Sequence, residues 1–120
     1  MKALTIRQPW AWAVIHGGKD VENRPRNCHL RGRFYVHAGL QLSDDGVDWM
    51  EQEIGIRRPR EFQHGVIIGT VELYDVVQDS ASPWAATGSY HWLLRHPRPL
   101  ARPIPARGRL GWWDFTRGRR

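Results

Sequence analysis

The sequence predicts an α+β fold, a small mixed β-barrel with two flanking α-helices, and three observations lead to this prediction. The runs KALTIR, GRFYVHAG, GVIIGTVELYDVVQ and YHWLL are rich in the β-branched and aromatic residues that favour strands. Two segments, residues 9–18 and 43–55, instead place apolar residues at helical spacing. Strands and helices do not alternate regularly, so a doubly wound parallel sheet is not expected.

The length of 120 residues suits one domain, which we place at residues 1–116, with a flexible C-terminal tail at 117–120. No apolar run approaches the ~20 residues that cross a bilayer, so no membrane partner is expected. The single cysteine, Cys28, has no disulfide partner within the chain. We therefore expect a cytoplasmic protein, and a monomer.

The first half of the chain reads as strand, helix, extended segment and strand. Pro9 suits the first turn of a helix because it has no N–H group to leave unpaired. Gly17 and Gly18 then end that helix. The segment DVENRPR is expected to be extended or irregular, and the strand after it is expected to end at Gly39.

In the second half, Ser43 is expected to cap a helix that ends near Gly55. Gly69 interrupts the longest strand and predicts a bulge or bend. The strand that begins at Tyr90 is expected to be interrupted by Pro97, with a last strand around the two tryptophans of GWWDF. The helix capped by Ser43 should bury the apolar stripe formed by Val47, Met50 and Ile54.

The net charge of +6 is distributed unevenly. Residues 1–33 and 95–120 are basic, whereas residues 34–94 are acidic. If the two ends lie together, they form one cationic face, which favours a polyanion such as RNA or DNA. The alternative is a surface rich in arginine for reasons unrelated to a ligand.

The segment GGKDVENRPR contains one of only two lysines in a chain with 16 arginines. Lys19 follows a helix end, and the turn before it could aim Lys19, Glu22 and Arg24 at one cleft with Arg7 and Gln8. A lysine in a desolvated site can act as a cation, a base or a nucleophile, whereas arginine keeps its proton. The alternative is a plain surface ion pair between Lys19 and Glu22.

Two further polar residues lie in apolar strands. Alternation along β-rich residues 65–78 places Glu72 mid-strand, where a carboxylate needs a partner such as Lys19 or an arginine, unless it faces solvent. His37 ends the strand FYVHAG, and a structural role with satisfied hydrogen bonds is the simpler interpretation. The six histidines have no metal-ligand spacing, so we expect no metal and no other cofactor.

Seven tryptophans are many for 120 residues. Trp10, at a helix start, and Trp84, in a Ser-Pro loop, lie beside turn residues, where a ring can stack on a base. The alternative for Trp84 is simple anchoring of its loop. Core positions are expected for Trp49, Trp92, Trp112 and Trp113.

The line ALTIRQPWAWAVIHGGKDVENRPR, with GRFYVHAG after it, resembles the ASCH family, whose domains are related to PUA domains. The motif Gly-x-Lys-x-x-Glu-x-Arg is weak alone, but it stands here with its flanking elements in order. The resemblance covers nearly the whole chain and is nearest to short stand-alone ASCH proteins. It implies a PUA-like barrel, a cleft between the barrel and the first helix, and nucleic-acid ligands, chiefly RNA.

The resemblance also implies two catalytic alternatives. Some single-domain ASCH proteins are amidohydrolases that remove the acetyl group from N4-acetylcytidine with a lysine, a threonine and a glutamate. Carried over by motif, the lysine is Lys19, the strand glutamate is Glu72, and the threonine position holds Glu22. Glu22 would therefore have to activate water as a base instead of supplying a hydroxyl nucleophile. Another branch is described as ribonucleases, for which no separate residues can be assigned.

Binding of RNA, other single-stranded nucleic acid or a modified nucleoside is the function that the sequence predicts first. The candidate catalytic residues for the two hydrolytic alternatives are Lys19, Glu22 and Glu72. The candidate ligand-binding residues are the phosphate contacts Arg7, Arg24 and Arg26, the base contacts Trp10, His37 and Trp84, and the neighbouring amides Gln8 and Asn23.

Overall fold

The computed structural model describes residues 1–117, so the predicted tail lies outside the described residues except for Arg117. It shows an α+β fold in which a six-stranded mixed sheet packs against two helices. The strands, in chain order, are β1 (Lys2–Gln8), β2 (Val21–Arg24), β3 (Gly32–Leu42), β4 (Val66–Val77), β5 (Tyr90–Pro105) and β6 (Trp112–Asp114). The helices are α1 (Trp10–His16) and α2 (Asp44–Trp49), and α2 continues as a π-helix (Met50–Ile54).

The sheet has the order β2-β5-β4-β3-β1-β6, with one parallel pair, β1 and β3. Among the described residues this order has two ends, so the predicted closure into a barrel is not observed. The edge strands β2 and β6 have only four and three residues, which leaves little backbone for a closing ladder.

Side chains nevertheless span the gap between the two ends of the sheet. The Trp92 ring on β5 stacks on the Trp112 ring on β6 with centroids 5.6 Å apart. Arg24 on β2 donates from Nη2 to the Thr5 carbonyl on β1 over 3.4 Å. The sheet is therefore curled far enough for its two ends to contact each other without main-chain pairing.

The local signals for the helices are confirmed. The Ser43 Oγ accepts a hydrogen bond from the Gly46 N–H at 3.0 Å, which caps α2, and Gly55 ends the π-helix at φ 84°. The side of α1 that faces the sheet buries Ala11, Val14 and Ile15 in the main core. No helix in residues 1–117 is long and apolar enough to cross a membrane.

The strand predictions were right for β1, β4 and β6, whereas β3 continues past its expected end at Gly39 to Leu42. Gly69 lies at a register shift between β4 and β5, and a Cβ there would lie 2.6 Å from the Arg98 carbonyl oxygen. The strand that Pro97 was expected to interrupt is one element of 16 residues, β5. Two of the three register shifts between β4 and β5 contain a proline on the β5 side, Pro97 or Pro103, which has no N–H to donate.

The two basic ends of the chain meet only in part. The N-terminal ammonium donates to the Phe115 carbonyl over 3.3 Å, and Lys2 pairs with Asp114 at 3.0 Å. Arg95 and Arg98, from the basic C-terminal range 95–120, do not take part in these contacts, since they lie on β5 and pair with β4. The cationic residues are therefore spread over more than one face.

Candidate functional site

A cleft of about 830 Å³ opens between the end of β1, strand β2, the start of α2 and the loop before β5. The hydrogen bond from the Ser43 N–H to the Gln8 carbonyl, 2.8 Å, holds the start of α2 against the end of β1. The cleft is lined by Thr5, Ile6, Arg7, Trp10, Lys19, Glu22, Asn23, Arg24, Ser43, Asp45, Gly46, Trp49, Trp84, Ala85 and Ala86.

The turn after α1 aims Lys19 at the cleft. The Ala13 carbonyl accepts hydrogen bonds from the N–H groups of Gly17, at 2.9 Å, and Lys19, at 3.0 Å. Gly18 between them adopts φ 76°, which glycine reaches without a steric cost. The predicted turn that folds the segment GGKDVENRPR, the signature segment at residues 17–26, back onto the cleft is therefore present.

Lys19, Glu22 and Arg24 form one continuous ion-pair network on the cleft wall. The Lys19 ammonium donates to the Val21 carbonyl and, at 3.2 Å, to Glu22 Oε1. The other Glu22 oxygen accepts from Arg24 Nε at 2.9 Å. The Lys19 and Glu22 side chains are only 4% and 9% exposed, so the alternative of a plain surface ion pair is wrong.

Three tryptophans form an aromatic wall beside this network, and the Lys19 ammonium lies over the Trp10 ring, 5.7 Å from its centroid. The ring centroids of Trp10, Trp49 and Trp84 lie 5.9 to 6.5 Å apart. Trp84 is buried within this cluster, whereas Trp49, for which a core position was expected, is 38% exposed. Trp49 is therefore the most exposed of the three, Trp10 is half-buried, and the ring of Trp84 anchors its loop.

The signature segment also holds the loop that contains Trp84. The Asn23 side-chain amide donates to the Trp84 carbonyl at 2.9 Å, and its oxygen accepts from the Ala86 N–H at 2.9 Å. Asp20 Oδ1 accepts from Ser82 Oγ at 2.6 Å. Asn23, predicted to bind ligand, thus lines the cleft but uses its amide group to position the aromatic wall.

Glu72 is not among the residues that line the cleft. Both of its carboxylate oxygens accept from Arg95, at 3.2 and 3.1 Å, and this pairing lowers the pKa of Glu72. The prediction that Glu72 has a partner is confirmed, and the partner is an arginine. The structure does not bring Glu72 together with Lys19.

Three other predicted ligand contacts lie outside the cleft lining. Buried Gln8 donates to the Gln63 carbonyl and accepts from the Trp12 N–H, at 2.9 and 2.8 Å. His37 contacts Thr5 Oγ1 and the Ala106 carbonyl, and burial lowers its pKa. The structural interpretation of His37 is therefore confirmed. Arg26 is exposed, and its carbonyl accepts from Trp92 Nε1.

The sequence interpretation missed the contribution of α2 to the cleft. Asp45, Gly46 and Trp49 line it, because the capped helix start lies against the end of β1. One signal was available, since Trp49 lies off the apolar stripe of its own helix. Thr5, Ser43, Ala85 and Ala86 were missed as well, and these small residues have no chemical signal of their own.

The comparisons with known proteins identify the family. The ASCH domain model matches residues 4–103, so the chain belongs to the ASCH domain family, whose fold is PUA-like. The chain is 23% and 24% identical to activating signal cointegrator 1 of Mus musculus and Homo sapiens, over 93% of its length. It spans only 22% of each of these curated relatives.

Solved structures show the same fold. The crystal structure of ASCH from Zymomonas mobilis superimposes with a TM-score of 0.53 at 21% identity and covers 87% of this chain and 72% of that one. A serine-to-alanine variant of the Zymomonas mobilis protein gives a TM-score of 0.52 at 20% identity, with the same coverage. At these identities the likeness extends to the fold alone.

Proposed function

We propose that this ASCH domain binds single-stranded nucleic acid, RNA first, in the cleft between β1, β2 and α2. The observation that carries the proposal is the exposed ring of Trp49 in the same cleft as the cationic side chains of Arg7 and Arg24. An aromatic ring on which a base can stack, beside arginines for the phosphates, is the common arrangement for single-stranded ligands.

The cations of the cleft have different tasks in this proposal. Lys19 neutralises Glu22 inside the wall and is too buried to follow a phosphate backbone. Arg24 has one nitrogen bonded to Glu22 and another to a carbonyl, and its side chain is about a quarter exposed. Arg7 is exposed and has no carboxylate partner among residues 1–117, so it is the first candidate for a phosphate contact.

Binding is better supported than either hydrolytic alternative. The amidohydrolase mechanism implied by the family resemblance needs a strand glutamate near the lysine, and Glu72 instead pairs with Arg95 away from the cleft lining. Glu22 has both oxygens occupied by cations, which weakens it as a base toward water. No specific contact in residues 1–117 favours ribonuclease chemistry.

We also infer that the curled sheet corresponds to the barrel of PUA-like domains, with side chains from Trp92, Trp112 and Arg24 in place of closing main-chain bonds. Both walls of the cleft come from one chain, which supports action as a monomer. Residues from β1, β2, α2 and the loop before β5 would then act together on one strand of nucleic acid.

The proposal is tested by fluorescence anisotropy with labelled single-stranded RNA of about eight nucleotides, a usual length for such sites. Trp49→Ala should weaken binding about tenfold, since stacking of one base contributes ~1–3 kcal/mol. Arg7→Ala should weaken binding and reduce its salt dependence.

The matched controls are Tyr74→Ala and Arg102→Ala, which remove an exposed aromatic ring and an exposed arginine outside the cleft lining. Both should bind nearly as the wild type does. Equal affinity of Trp49→Ala and wild type, or no salt-dependent binding of RNA or single-stranded DNA at low ionic strength, refutes the proposal.

A further inference from the structure

Asp45 and Glu22 are the two carboxylates among the residues that line the cleft, and in the described part of the chain only Asp45 has free oxygens. It lies in the first turn of α2, is exposed and lines the cleft. Neither of its oxygens accepts a side-chain hydrogen bond or forms an ion pair within residues 1–117, whereas Glu22 has both oxygens engaged. Asp45 is therefore available to a ligand, and Glu22 is not.

Asp45 and Trp49 are four residues apart on one helix, so they are neighbours on the same helix face. Their Cβ atoms are expected to be about 5–6 Å apart at this spacing. Trp49 is the most exposed tryptophan of the aromatic wall. A base that stacks on this ring would place its hydrogen-bonding edge within reach of the Asp45 carboxylate.

A carboxylate accepts hydrogen bonds and donates none, so it selects a ligand edge that presents N–H groups. Two adjacent N–H donors match its two oxygens in a bidentate pair. Guanine presents such a pair on its Watson–Crick edge, N1–H and the exocyclic amino group. Adenine and cytosine offer an amino group beside a ring acceptor, and uracil offers one N–H between two carbonyls.

We propose that Asp45 determines base specificity in this cleft and selects guanine for the base that stacks on Trp49. This inference rests on the proposed binding function. Phosphate binding does not explain Asp45, since a free carboxylate repels an anionic backbone. The helix dipole does not require it either, because Asp44 is an acid in the same first turn and does not line the cleft.

The experiment measures anisotropy with labelled hexauridylates in which one central base is replaced by guanine, adenine or cytosine. Wild type should bind the guanine strand about tenfold more tightly than the others, as expected for one bidentate base contact. Asp45→Asn should remove that preference, because an amide supplies one acceptor where the carboxylate supplies two. The control Asp44→Asn alters an exposed acid one residue away and should keep the preference.

The outcomes separate the two proposals. Binding that depends on Trp49 but is equal for all four strands overturns only the assignment of Asp45. A guanine preference that survives in Asp45→Asn overturns that assignment too. If Trp49→Ala binds as tightly as the wild type, or if no strand binds, both the proposed binding function and the assignment of Asp45 are overturned.

Discussion

Replacing Glu22 by glutamine should destabilise the fold strongly, because it removes the one carboxylate that pairs with buried Lys19 within residues 1–117. Glu22 bridges Lys19 and Arg24, and the Lys19 side chain is 4% exposed. Glutamine has the same shape, but its amide carbonyl can face only one of the two cations. Its NH₂ group would then face the other cation, donor against donor.

The magnitude follows from the distances. Two unit charges 3.2 Å apart, as in Lys19 and Glu22, attract by about 5 kcal/mol at an effective dielectric constant of about 20. Loss of one partner of a buried pair generally costs about 3–5 kcal/mol. Arg24 is partly exposed and can turn to water, so we expect about 3 kcal/mol, or a Tm lower by roughly 12 °C for a chain of this length.

The assay is urea unfolding followed by tryptophan fluorescence. The double variant Lys19→Met with Glu22→Gln should recover much of the loss, because it removes the stranded charge as well. Glu72→Gln, at a more exposed ion pair with Arg95, is the control and should change stability little. A Glu22→Gln variant within about 1 kcal/mol of wild type would refute the reasoning, since such a cost is typical of an exposed pair.

Two further predictions concern α2 and its π-helical extension. Gly46→Ala places a Cβ 2.7 Å from Trp10 Cζ2 and 3.0 Å from Ser43 Oγ, so overpacking of ~1–3 kcal/mol should exceed the ~1 kcal/mol that alanine adds to a helix. A lower urea midpoint and weaker RNA binding are expected, and a stabilised variant would contradict this account. Hydrogen bonds from Arg58 lower the pKa of Glu51 from 4.5 to about 2. A lowered carboxyl pKa stabilises the fold above about pH 4.5, and this stabilisation is lost as the pH falls toward 2. The Tm of Glu51→Gln should therefore depend less on pH between these values than the Tm of the wild type. The same pH dependence of Tm in both proteins would contradict this role of Glu51.

The sequence predicted where most helices and strands lie along the chain, but not how the strands pair with one another in the sheet. The cap at Ser43, the helix end at Gly55 and the bulge at Gly69 follow from local chemistry, and all three are present. The continuity of β5 through its prolines was missed, because it depends on register shifts against β4 that no local pattern contains.

The same limit explains the outcome at the site. Lys19, Glu22 and Arg24 are close in sequence, so their convergence could be predicted. Trp49 and Glu72 depend on which distant element covers each face: Trp49 was misplaced in the core, and Glu72 has the arginine partner instead of Lys19. Trp49 is cleft-facing because the start of α2 lies against the end of β1, and Glu72 pairs with Arg95 across the sheet.

The gap in the sheet has a consequence for how the cleft can open. Thr5 and Arg24 line the cleft and also span the gap, through a single long hydrogen bond of 3.4 Å. Because no main-chain ladder crosses this gap within residues 1–117, the Arg24 side chain can turn away from the Thr5 carbonyl without breaking a strand pair, while the stacked rings of Trp92 and Trp112 still join the two ends of the sheet. A closed barrel would have to break main-chain bonds for the same movement, so at this edge of the cleft a side-chain contact takes the place of a strand pair.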